Sequence, residues 1–142
     1  MESDGRRVLG TARLIAALLY TVPLVVFPIV EKAIQGSGGV DADTLPVVVV
    51  AFGLVGIADY GVSLFLEGKL LRQARALGGP SGRSSVVTAV IVVSAFGASL
   101  AVYGLVLTFL GAPGYGGMFY ILCAVHGLHL LMRWPRYGRA LV

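Results

Sequence analysis

Four stretches of the chain run nearly free of charge: residues 8–30, 45–66, 85–110 and 117–134. Within them polar residues do not recur at every second position, as in a half-buried strand. Nor do they form the wide polar stripe of a helix lying on a water-soluble core. Each stretch is close to the roughly 20 residues with which an α-helix crosses about 30 Å of hydrocarbon. In lipid the backbone must satisfy its own hydrogen bonds. The valine runs 47–50 and 90–93, which favour strands in water, are therefore read as helix. The pattern predicts an all-α, polytopic integral membrane protein. It forms a single domain over 1–142, with four transmembrane helices at about 8–34, 44–77, 84–110 and 116–134.

The segments between are punctuated. Gln35-Gly36-Ser37-Gly38-Gly39 breaks the first helix, and Asp43 or Thr44 can cap the second with Pro46 in its first turn. Gly78-Gly79-Pro80-Ser81-Gly82 ends helix two, Ser84 or Ser85 can cap helix three, and Gly111-Ala112-Pro113-Gly114 makes a tight turn before helix four. Pro23 and Pro28 each remove a donor inside helix one and are expected to kink it. Helix two is expected to run past the lipid to Leu77. That extension carries Leu70, Leu71, Ala74 and Leu77 on one face and a basic face suited to headgroups.

Composition agrees. Hydrophobic residues make up 57% of the chain and charged ones only 13%, against about 25% charged in a soluble domain. The net charge of +4 does not point to nucleic acid, because the basic residues sit at the ends of apolar stretches and form no separate module. Arg6, Arg7, Arg13, Lys69, Arg72, Arg75, Arg83, Arg133, Arg136 and Arg139 fall on one side of the predicted membrane. Of the eleven basic residues only Lys32 falls on the other, with Glu31, Asp41 and Asp43. This asymmetry predicts a multi-pass protein of the cell membrane with both termini cytoplasmic. Arg13 interrupts the first apolar run and no small-x-small site follows it, so a cleaved leader is not expected. Tyr115, Phe119 and Tyr120 at one face, with Trp134 and Tyr137 at the other, are expected in interfacial belts.

Few residues can carry chemistry. Asp59 lies near the middle of helix two, where a charge costs at least a few kcal/mol, so it is expected to face a partner. His126 and His129 share a face of helix four with Cys123, the only cysteine. The C-x-x-H-x-x-H stripe admits a metal or haem reading, but a four-coordinate metal set is incomplete and the other helices hold no histidine. No metal site is therefore assigned, and no cofactor beyond that haem alternative. Counted at about 1.5 Å per residue, Asp59, Ala98 and His129 lie at similar depth. Asp59 is accordingly expected to meet His129 or a polar group of helix three. Gly53 and Gly56 of helix two, and Gly97 and Gly104 of helix three, are expected at helix contacts, where small residues let backbones approach.

Residues 95–107, Ala-Phe-Gly-Ala-Ser-Leu-Ala-Val-Tyr-Gly-Leu-Val-Leu, resemble the second helix of the rotary ATP synthase c subunit, the proteolipid, with its stretch like S-L-A-I-Y-G-L-V. A helix, a short basic cytoplasmic loop and a second helix also match that family's hairpin. The position of the family's ion-carrying carboxylate is Ala98 here, and the glycine-rich repeat of its first helix is missing from helix two. The resemblance implies ion translocation, with Asp59, on the neighbouring helix, as the carboxylate.

No nucleophile and base pair or phosphate loop is present, so no enzyme is expected. The sequence points to a small non-catalytic membrane subunit in a homo-oligomer or larger complex, with the lipid bilayer and other membrane chains as partners. Two alternatives stand beside it: a proteolipid-like proton-translocating subunit using Asp59 with His129 or His126, and a haem-binding subunit using His126 or His129.

Overall fold

The protein is seen in a computed structural model that describes residues 2–34, 39–41 and 43–141. It is all helix: α1 Glu2–Ile34, α2 Leu45–Leu77, α3 Gly79–Phe109 and α4 Pro113–Arg139. All four are long and apolar enough to cross a membrane. The Gln35-Gly36-Ser37-Gly38 breaker lies outside the described residues; α1 ends just before it.

The turns differ from expectation in detail. Thr44 stands at the N-cap of α2 but makes no side-chain capping bond. The Asp41 carbonyl instead accepts the N–H groups of Thr44 at 3.0 Å and Leu45 at 3.1 Å. Helix three starts at Gly79, not near Ser84. Gly78 alone separates it from α2, with a φ of 59° followed by 49° at Gly79, left-handed values that glycine adopts without strain. Pro80 then lies in the first turn, where its missing N–H leaves no bond unmade. The hydroxyl of Ser85, an expected cap, bonds back to Ser81 O at 3.2 Å. A Cβ on Gly82 would stand 2.5 Å from the Ala74 carbonyl oxygen, so this hairpin needs a bare backbone. Helix four continues past Trp134 through Pro135 to Arg139.

Helix α3 is the hub and packs against the other three, while α1 also packs on α4. Its buried residues Val86, Val90, Val93, Gly97, Leu100, Gly104 and Leu107 alternate steps of four and three, the seam of helices packed at a shallow angle. On α4, Gly116, Phe119, Cys123, His126 and Leu130 follow the same rhythm. At the crossing a Cβ on Gly104 would lie 2.7 Å from the Gly116 carbonyl oxygen, and one on Gly116 would lie 2.6 Å from that of Gly104. The outward faces are apolar, with Leu14, Leu18 and Ile29 on α1, Val47, Ile57 and Phe65 on α2, and Ile121, Leu128 and Leu131 on α4. Apolar surface spread over every helix fits lipid as the surrounding solvent.

One end of the bundle gathers the basic residues. Leu9 and Arg13 of α1 meet Gly138 and Trp134 of α4 there, and the α2–α3 turn lies beside Ala140 and Leu141. At the other end Val40 N–H donates to Leu110 O at 3.1 Å. The expected aromatic belts are corrected in part. Phe119, Trp134 and Tyr137 are buried inside the bundle, and only Tyr115 of that group is exposed. Trp134 is covered by the Arg13 guanidinium, 5.0 Å from its ring centre, a cation–π contact that uses the aromatic face within the protein.

Candidate functional site

Two polar clusters occupy the middle of the bundle, on opposite sides of α2. The first is centred on Asp59. Its Oδ2 accepts hydrogen bonds from Tyr103 Oη at 2.6 Å and Ser99 Oγ at 3.0 Å, both on α3. The residue is half-buried, at the seam of α2 and α3, with Val55 and Val62, one turn to either side on α2, exposed. Two hydroxyl donors on one oxygen partly replace lost hydration, as a half-buried carboxyl in the middle of an apolar helix requires. The second oxygen is left for a proton or a further partner.

Asp59 does not meet His129. Successive residues on a helix are about 100° apart, so Asp59 turns to α3 while Tyr60 turns to α4. There Tyr60 Oη and His129 Nδ1 are 2.6 Å apart. One turn along, Ser63 of α2 lies 3.4 Å from His126 Nε2, and Tyr20 of α1 reaches His126 Nδ1 at 2.6 Å. Tyr20, Ser63 and His126 are all buried. The protons can be placed by elimination. Ser63 Oγ donates to Tyr60 O at 2.8 Å, so towards His126 it accepts. Nε2 then carries the ring proton and Nδ1 accepts from the Tyr20 hydroxyl.

Gly97 makes this second cluster possible. A Cβ there would run into the Tyr20 hydroxyl and would lie 2.6 Å from His126 Nδ1. The bond between α1 and α4 thus crosses α3 where α3 has no side chain. Gly127 admits the other side of the Tyr20 ring, 3.1 Å from where its Cβ would be. Of the other expected packing glycines, Gly104 lies at the α3–α4 crossing, and Gly56 is buried, its Cβ position 3.2 Å from Leu100 and 3.5 Å from Phe119. Gly53 is corrected: a Cβ there would meet nothing within 4 Å, because this part of α2 borders a groove.

Below these clusters, towards the basic end, Arg133 Nη1 of α4 pairs with Glu67 Oε2 of α2 at 2.8 Å. Glu67 is 1% exposed, so it turns into the bundle. Removing one partner from such a buried pair strands a charge and costs about 3–5 kcal/mol. Tyr137 lies fully buried beside it.

Cys123 is buried one turn from His126. Among the described residues no three His, Cys, Asp or Glu side chains come together as a metal set. His126 and His129 sit on one helix, each with Nδ1 engaged by a tyrosine. Sequence reasoning missed Tyr20, Tyr60, Ser63 and the Glu67–Arg133 pair. No family model matches the chain, and no curated protein or solved structure matches it either.

Proposed function

We propose that the protein is a small, non-catalytic subunit of the cell membrane, acting in a homo-oligomer or a larger membrane complex. Its helices cross the bilayer with both termini and the α2–α3 turn in the cytoplasm, the side on which short Lys- and Arg-rich segments remain. The observation that carries the reading is Asp59, a half-buried carboxyl near the middle of a long apolar helix, with exposed valines one turn to either side. Left against hydrocarbon, such a group costs at least a few kcal/mol. A neighbouring membrane helix laid over the α2–α3 seam covers it and can supply its missing partner.

A second reading, proton translocation at Asp59, is favoured by the two hydroxyls on a single oxygen. They fix the carboxyl while its other oxygen is left to gain and lose a proton. Native mass measurement in mild detergent tests the first reading: several chains, or this chain with other membrane proteins, is the expected result, and a lone chain contradicts it. A hydrophobic carbodiimide tests the second. Labelling at Asp59 that disappears in Asp59→Asn supports translocation, and an unlabelled wild-type carboxyl removes it.

A further inference from the structure

Helix α1 touches α4 more lightly than either touches α3, and a groove of about 480 Å³ lies between them. Small residues open it, Ala17 on α1 and Ala124 on α4, and Leu24, Leu128 and Leu131 give it apolar walls. Arg13 is the charged residue of the lining. It stands at the basic end of the groove, 5.0 Å from the centre of the Trp134 ring. A cation–π contact engages the charge but gives the five N–H donors of the guanidinium no acceptor oxygen. Glu67 is taken by Arg133, and among the described residues no carboxylate pairs with Arg13. Along α1 the lining extends from Arg13 to Leu24, about 16 Å of helix. That is close to half of a hydrocarbon core of about 30 Å, the depth of one leaflet.

We propose that this groove holds an acyl chain of an anionic phospholipid from the leaflet at the basic end, with the lipid phosphate on the Arg13 guanidinium. The guanidinium fork matches phosphate oxygens in geometry and in charge. The walls beyond it are apolar, as a hydrocarbon chain requires. The groove ends near mid-span, which suits a chain anchored at one interface and not a helix that crosses both leaflets. A zwitterionic head brings its own cation to the end of the bundle that already gathers Arg136 and Arg139, whereas an anionic head adds only negative charge there. The inference takes the helices to cross a membrane. It concerns the α1–α4 face and stands apart from the proposed contact over Asp59.

Trp134 is the only tryptophan of the chain and lines the groove, so its fluorescence reports the occupant. The purified protein is reconstituted in phosphatidylcholine bilayers and titrated with phosphatidylglycerol or phosphatidylcholine brominated near the headgroup end of the chain, since bromine quenches indole on contact. Brominated phosphatidylglycerol is expected to quench with about fivefold higher apparent affinity, the worth of one arginine beside an anionic head. Arg13→Gln should bring the two lipids to equal quenching, while Arg13→Lys, which keeps the charge, should retain most of the preference. Arg136→Gln, at the same end but outside the groove lining, should leave the preference intact. Ala17→Phe keeps Arg13 and fills the groove from an exposed wall position, and should also abolish it. Equal quenching by both lipids in the wild type overturns the proposal. So does a preference that survives Arg13→Gln or Ala17→Phe, or one that Arg136→Gln removes as completely as Arg13→Gln.

Discussion

A side chain on Gly97 would occupy the space in which the Tyr20 hydroxyl meets His126 Nδ1. Adding one there sets two losses together: the buried bond between α1 and α4, and the close fit of α3 against both. Gly97→Leu should therefore destabilise the protein by about 1–3 kcal/mol or more, the usual cost of overpacking, read as an earlier thermal transition in detergent. A Gly97→Leu protein as stable as the wild type would contradict the packing described. Asp59 shows the same dependence on a single position. Its neighbour Tyr60, one residue on, belongs to a different cluster with different partners.

At the scale of the helices, the four long apolar helices and the end of the bundle that gathers the basic residues were legible in the sequence, because both are written in composition and charge. So were Gly56, Gly97 and Gly104 as contacts. The rotation of each helix was not. In water a polar outside face reports which face is buried, but here Leu, Ile and Val cover the exterior and also fill much of the interior, where Val86, Val90, Leu100 and Leu107 lie with Ser63, Glu67 and His126. Hydrophobicity therefore says little about facing. A usable signal was present: Tyr60, Ser63 and Glu67 on α2, and His126, His129 and Arg133 on α4, both follow the spacing i, i+3, i+7. Two polar stripes of equal rhythm on apolar helices are expected to face each other, and here they do, crosswise for Tyr60 with His129 and Ser63 with His126, and in register for Glu67 with Arg133. The start of α3 was misplaced for another reason. Gly78-Gly79-Pro80 has the composition of a loop, whereas left-handed glycine lets the chain reverse in a single residue. The position of Phe119, Trp134 and Tyr137 near helix ends suggests belts, yet the bundle offers them packing against Gly56, Arg13 and Glu67.

In the proposed reading the whole molecule is a bundle that lipid surrounds on most sides and a neighbouring chain covers at the α2–α3 seam. The proposed orientation has its own check. A cysteine at Ser81, in a Cys123→Ala background, should stay unreactive to an impermeant thiol reagent added outside intact cells; labelling there would invert the topology. The central claim is met most directly by cross-linking in native membranes, again in Cys123→Ala. Val62→Cys lies one turn from Asp59 on the exposed seam, and Ile29→Cys lies on the outer face of α1. The account predicts that Val62→Cys joins to a second membrane chain, another copy or a partner subunit, in much higher yield than Ile29→Cys. Equal, background yields at both positions would mean that only lipid covers Asp59, and would contradict it.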